Sequence, residues 1–344
     1  MSVLELRDLV VDFRQRGGGR VRAVNHVSFG LKSGETLALV GESGSGKSTV
    51  VRAVGQLMRS YTGTVLLDGK PAGRHGRALR AYRRRVQLVF QDPFASLNPM
   101  HSVRYHLARP LLMLGGGRSG LDERLHELLR SVNLTPAEEI ARKFPHELSG
   151  GQRQRVAIAR ALASGPDVLL ADEPVSMLDV SIRLEILNLL DRLKRERNLA
   201  LLYVTHDLAT ARHFSARIMV MYRGEIVEQG PSDEVILRPS HPYTQLLASA
   251  APDPSVPRAE LAQARRVRQA ARVARAGPGG GAQPLAPLTA ERREAIVDEG
   301  CHFRPRCPRA MDICATRPPD ASVGPEHRAL CWLHASAPAA VAEQ

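Results

Sequence analysis

The stretch from residue 36 to 49, TLALVGESGSGKST, constrains the fold more than any other part of the chain. An apolar, β-favouring run leads into a G-x-x-x-x-G-K-[ST] pattern, and the helical stretch VVRAVGQLM follows directly. Strand, glycine-rich turn and helix in that order make a phosphate-binding loop. Gly41, Gly44 and Gly46 allow the backbone to turn tightly enough to aim several N–H groups at phosphate oxygens, and the helix adds its positive end. Lys47 is placed to reach the β- and γ-phosphates, and the Ser48 hydroxyl to complete an Mg²⁺ shell. Ser43, Ser45 and Thr49 complete the loop's set of nucleotide-binding candidates.

Further apolar runs, VQLVFQD, DVLLADE and LALLYVTHD, alternate with stretches whose apolar residues recur at helical spacing, such as RLEILNLLDRLKRE. This alternation predicts an α/β fold with buried parallel strands, whose chemistry gathers at the strands' carboxyl ends. Asp172 and Glu173 stand at one such end. One carboxylate can hold Mg²⁺ through water while the other orients or deprotonates an attacking water. An Asp-Glu pair after a strand is common; here the coexisting phosphate loop gives it weight. The segment of about 93–160 carries helical pattern with few strand signals, and reads as an inserted helical subdomain. Beyond HPYTQLLASA the composition shifts to Ala, Arg, Pro and Gly, so that 253–297 reads as a linker and 298–344 as a short further unit.

At 344 residues the chain is long enough to bury a substantial core. Its start lacks the pattern of a secretory signal, and no apolar run reaches about 18 residues, which favours a cytosolic protein. The formal charge of +13 raises nucleic acid as a partner, yet only five of the 48 basic residues are lysine, an arginine bias that genome composition also produces. All four cysteines, Cys301, Cys307, Cys314 and Cys331, fall in the last unit. In a reducing compartment they are not expected as disulfides, which leaves metal ligation, redox chemistry or ordinary packing.

The string LSGGQ at 148–152 makes a resemblance specific: the chain resembles the ATP-binding subunits of ABC transporters. The resemblance implies a P-loop ABC-type nucleotide-binding domain over 1–252, with ATP and Mg²⁺ bound. It assigns Gln91 to the Q-loop, Glu173 to the hydrolytic carboxylate, Asp179 in SMLD to the D-loop and His206 in YVTHD to the switch histidine. Catalysis then falls to Glu173, His206, Gln91 and Lys47, the metal shell to Ser48, Gln91 and Asp172, and adenine stacking to Phe13. Met177 stands where alanine is usual, a mild departure. The family works as a head-to-tail pair of ATPase subunits, identical or not, so Ser149, Gly150, Gly151 and Gln152 of one subunit are expected to face the γ-phosphate held by Lys47 of the other.

FQDPFASLNPMHSV, EPVSMLDVSIRLEILNLL, HPYTQLLASA and the tail GCHFRPRCPRAMDIC narrow the resemblance to the ATPase subunits of bacterial dipeptide and oligopeptide importers. That implies import of peptides or a related solute through membrane permease subunits, with an extracytoplasmic substrate-binding protein as an indirect partner, and a peripheral position on the cytoplasmic face of the inner membrane. The alternative is a soluble ABC ATPase acting on nucleic acid or ribosomes. Those proteins carry two nucleotide-binding halves or long insertions, which this chain lacks, and nucleic acid is not expected as a partner. The cysteine spacing C-x5-C-x6-C-x16-C matches neither a zinc knuckle nor a ferredoxin run. Four thiolates suit a [4Fe–4S] cluster or a tetrahedral Zn²⁺; the resemblance favours the cluster, with packing cysteines as the third reading.

Overall fold

The structure, a computed structural model, describes residues 2–14, 19–113, 118–250 and 300–335. The linker expected at 253–297 lies outside the described residues. The strands are β1 (Ser2–Arg14), β2 (Arg20–Lys32), β3 (Thr36–Val40), β4 (Thr62–Leu67), β5 (Lys70–Pro71), β6 (Val86–Val89), β7 (Val168–Asp172), β8 (Ala200–Thr205), β9 (Arg217–Tyr222), β10 (Glu225–Pro231), β11 (Asp320–Gly324) and β12 (His327–Leu330). They form a four-stranded sheet, β2-β1-β4-β5, and an eight-stranded sheet, β11-β12-β10-β9-β3-β8-β7-β6. Strands β9, β3, β8, β7 and β6 run parallel. β10, β12 and β11 continue the sheet antiparallel.

The near-continuous apolar runs are explained by burial on both faces. In β3, Leu37 and Leu39 pack into the core shared with the four-stranded sheet, while Ala38 and Val40 pack into the core shared with the helical segment. β7 divides in the same way, with Val168 and Leu170 on one side and Leu169 and Ala171 on the other. Between Pro93 and Leu162 the described residues form helices Pro93–Ser96, Val103–Met113, Leu121–Ser131, Ala137–Arg142 and Gly150–Leu162. The helix LDERLHELLRS illustrates why: Leu121, Leu125, Leu128 and Leu129 make one buried face, and Asp122 and Glu123 sit in the first turn, where the helix end is positive. Among the described residues no helix is long and apolar enough to cross a membrane.

The tail does not stand apart from this core. β12 pairs with β10, placing Ala329 opposite Glu228 and Arg328 opposite Gln229, and so covers an edge that β10 would otherwise leave open. Phe303, 1% exposed, packs edge-on against Tyr222 at 5.3 Å between ring centres and lies 5.5 Å from Tyr243.

Candidate functional site

The topology puts four chemically distinct ends side by side. β3 runs into the loop at Gly41, β6 leads to Gln91, β7 ends in Asp172 with Glu173 next, and β8 leads to His206; these strands are neighbours in the order β3-β8-β7-β6. They open onto a cleft of about 830 Å³ lined by Phe13, Gly41, Ser43, Gly44, Gly46, Lys47, Ser48, Thr49, Gln91, Glu173 and His206, joined by Val21, Ala23, Glu42 and Leu247. Its size suits a nucleotide.

The loop needs its glycines for space as well as for turning. A Cβ on Gly41 would fall 2.2 Å from the Met221 carbonyl oxygen; on Gly46, whose φ is +109°, it would fall 2.4 Å from that of Ala23. Lys47, 4% exposed, donates to the Gly41 and Glu42 carbonyls, both at 2.8 Å. Burial pushes its pKa down, while the nearby carboxylates of Glu173, Asp172 and Glu42 push it up. A phosphate entering the loop supplies the counter-charge that this buried ammonium otherwise draws from them.

Ser48 Oγ donates to Asp172 Oδ1 at 3.1 Å. Burial pushes the Asp172 pKa up, and the Ser48 bond opposes that shift. A buried carboxylate beside a hydroxyl is a hard oxygen pair suited to Mg²⁺, so these residues fit the ion. Glu173 adopts a left-handed φ of +47° and donates its N–H to the Val204 carbonyl, which aims the side chain back into the cleft. There its Oε2 accepts from Gln91 Nε2 at 3.2 Å and lies 3.3 Å from His206 Nδ1. The three expected catalytic partners of Lys47 are therefore in mutual contact or near it.

Two groups of expected residues stand elsewhere. Ser45 is 5% exposed, and its Oγ lies where a Cβ on Gly41 would meet it, at 2.9 Å; its side chain belongs to the interior of the loop, not to the cleft lining. Ser149, Gly150, Gly151, Gln152 and Asp179 also lie outside the lining. Ser149 caps the helix Gly150–Leu162: its Oγ accepts the Gln152 N–H at 3.2 Å, and Gln152 Oε1 accepts the Ser149 N–H at 3.0 Å. Asp179 precedes the helix Val180–Arg197.

A model of the ABC transporter family matches residues 24–176, and one of the oligopeptide/dipeptide transporter C-terminal region matches 227–314. A probable peptide ABC transporter ATP-binding protein of Sinorhizobium fredii, y4tS, is 43% identical over 325 residues, covering 94% of this chain and 85% of the relative. The oligopeptide transport ATP-binding protein AppF of Bacillus subtilis is 39% identical over 343 residues, 97% and 98% of the two chains. The chain belongs to the ATP-binding subunits of ABC transporters. Among solved structures, cbiO1 of Clostridium perfringens, described as part of an ABC transporter complex, aligns with a TM-score of 0.61 at 28% identity over 69% of this ATPase subunit and 91% of its own chain. A dimeric ATP-binding cassette bound to ADP and Pi aligns with a TM-score of 0.59 at 32% identity over 67% and 98%.

The four cysteines of this ATPase converge on one cavity. Cys301, Cys307, Cys314 and Cys331 all line one cavity of about 10 Å³, with His241, Phe303 and Trp332 among its other walls. That is room for about one water. Burial, aided by the other thiols, pushes the Cys301 pKa up to about 11 and raises that of Cys331. Among the described residues no group of three or more His, Cys, Asp or Glu side chains is disposed to hold a metal ion. The four cysteine side chains pack around this small cavity, an arrangement in which burial without a cation disfavours thiolates.

Residues that the sequence reading passed over surround Glu42, the second residue of the loop. Its N–H donates to Tyr243 Oη at 3.0 Å, and its carboxylate receives both terminal nitrogens of Arg306 at 3.0 Å each. The string HPYT had marked Tyr243 as a family feature, but nothing local to Arg306 signals a nucleotide-site contact.

Proposed function

We propose that this ATPase drives import of a peptide or peptide-like solute through partner permease subunits, acting as a two-subunit dimer at the cytoplasmic face of the membrane. Support for the cargo comes from the peptide-importer names of the relatives and from the match of the C-terminal region. Support for the chemistry comes from one observation above the rest: a single carboxylate, Glu173, in reach of Gln91 and His206 at the mouth of a loop that buries Lys47.

In this reading the loop N–H groups and Lys47 hold the β- and γ-phosphates, and Phe13 stacks on the base. Ser48, Asp172 and Gln91 would hold Mg²⁺, which when bound neutralises phosphate charge. Glu173 orients a water for attack on the γ-phosphate and accepts its proton, while His206 holds the geometry of the Glu173 carboxylate. Ser149, Gly150, Gly151, Gln152 and Asp179 act on the partner's nucleotide: a capped helix N-terminus outside its own cleft is a donor array free to meet a phosphate across an interface. Moving an open dimer from about 1:99 to 99:1 closed takes roughly 5.5 kcal/mol, which two nucleotides contacted from both sides supply.

Co-expression with candidate permeases tests the proposal. Co-purification, with ATP turnover stimulated by the permease, is the expected result. Turnover stimulated instead by nucleic acid, in a salt-dependent manner, would replace it with the soluble alternative.

Metal occupancy of the tail is a finer part of this proposal, supported by donor type and by the convergence of four cysteines in a short unit, which ligation would stabilise. It requires the cavity to widen and the thiols to ionise. Iron with acid-labile sulfide in anaerobically purified protein, or stoichiometric zinc, carries it; neither metal leaves four packing cysteines.

A further inference from the structure

We infer that Arg306, from the four-cysteine tail, is a positioning residue for the phosphate loop and sets the affinity for ATP. The inference rests on the loop binding ATP and goes beyond it by adding a distant residue to the site's control.

The tail is built to deliver this one side chain. Gly300, with φ +97°, turns the chain where a Cβ would strike the Ala315 carbonyl oxygen at 2.6 Å. Backbone bonds from Cys301 N–H to the Cys314 carbonyl, Arg304 N–H to the Cys301 carbonyl and Arg306 N–H to the Phe303 carbonyl then wind the segment into a single tight turn. Phe303 anchors that turn among Tyr222, Tyr243 and His241. From this anchor Arg306 reaches Glu42 with a two-pronged ion pair, and Tyr222 Oη at 3.4 Å. The pair pushes the Arg306 pKa further up from its ordinary value, hydrogen bonding to Glu42 being the leading cause.

Every polar handle of Glu42 is thereby engaged. The N–H goes to Tyr243, the carboxylate to Arg306, and the carbonyl accepts from Lys47 Nζ and from the Ser45 N–H. Glu42 lines the cleft, and its charge is near enough to influence Lys47. A bare carboxylate there would repel the triphosphate and compete for the lysine; paired with Arg306 it is neutralised and fixed. Because the fork matches a carboxylate in two places, lysine cannot reproduce it.

The test is a double-mutant cycle on the full chain with a fluorescent ATP analogue, read alongside steady-state hydrolysis. Arg306→Gln is expected to weaken nucleotide binding and raise KM about tenfold, the scale of a partly exposed charge-assisted pair, with kcat changed far less. Arg306→Lys recovers part of the loss. In a Glu42→Gln background, where no charge remains to neutralise, Arg306→Gln causes no further loss. An equal loss in both backgrounds overturns the inference in favour of general damage to the tail, as does unchanged affinity accompanied only by a lower Tm. If the wild-type chain binds no ATP analogue, the ATPase reading itself fails, a result distinct from either.

Discussion

Replacing Glu173 by Gln separates binding from chemistry at this site. The side chain is 15% exposed and its Oε2 meets Gln91 and His206 at 3.2 and 3.3 Å, so the change is made in a nearly closed setting. Gln has the same volume, and its amide oxygen still accepts from Gln91, so packing and the +47° backbone are kept. What is lost is a group that takes a proton. General-base assistance is worth about 10²–10⁴-fold, or roughly 3–5 kcal/mol of barrier. Affinity has no reason to fall: Lys47, Ser48 and the loop are untouched, and one negative charge acting on Lys47 is removed. Phosphate release at saturating Mg-ATP is therefore expected to drop by about 10²–10⁴-fold while equilibrium ATP binding stays within about threefold. Chromatography should reveal an ATP-dependent dimer accumulating. Turnover within about threefold of wild type would sink the assignment of Glu173 as base.

Three other outcomes follow from the same geometry. Lys47→Ala removes a buried cation and should cost about 10–100-fold in ATP affinity, whereas Ser149→Arg should spare binding and stop hydrolysis; mixing the two inactive variants should restore turnover through one intact composite site, and no recovery under subunit exchange speaks against the shared site. Burial raises the Asp172 pKa, so the ionised carboxylate destabilises the fold increasingly as pH rises above its unfolded value. Asp172→Asn should then raise the nucleotide-free Tm at neutral pH yet lower Mg-dependent hydrolysis by about 10²-fold or more; a lower Tm contradicts the burial argument. His106, whose ring lies 3.0 Å from the Asn98 carbonyl, has its pKa lowered chiefly by burial, so the unfolded chain takes up a proton there before the folded one does and stability falls as pH drops below about 6.5. Amide protection across residues 97–113, relative to the intrinsic exchange rate at each pH, should fall below that pH in wild type and not in His106→Gln.

How much of this the sequence carried depends on where the determining contacts lie along the chain. The phosphate loop, Asp172 with Glu173, Gln91 and His206 were legible because each is a short string at a strand end, and parallel topology gathers such ends by rule. Ser45 shows the limit of a motif: it occupies a loop position, but its hydroxyl turns inward beside Gly41. Glu42 was passed over because it fills a variable position of the pattern, with a role set by Tyr243 and Arg306, 201 and 264 residues away. No periodicity or spacing rule links positions so far apart. The cysteines were legible as a group, but that all four line one cavity beside His241 and Phe303 depends on a fold that their spacing does not specify.

The grip of the tail on the core is electrostatic more than ladder-like. β12 contributes only two paired positions to β10, Glu228 with Ala329 and Gln229 with Arg328, too few to hold a segment by strand pairing alone. Beside the buried ring of Phe303, two buried carboxylates of β10 hold it by taking partners from both sides. Glu228 accepts the Ser240 and His241 N–H groups from the core, while His327 Nε2 of the tail meets it at 2.8 Å. Glu225 accepts from Asn25 of the core, with His302 Nδ1 and Arg317 of the tail each 3.2 Å away. An acid buried with part of its partners missing costs several kcal/mol, so the core strand carries charges that are satisfied only when the tail is docked. The same docking brings Arg306 to Glu42. Docking of the tail through these buried acids and the placement of Arg306 beside Glu42 therefore go together.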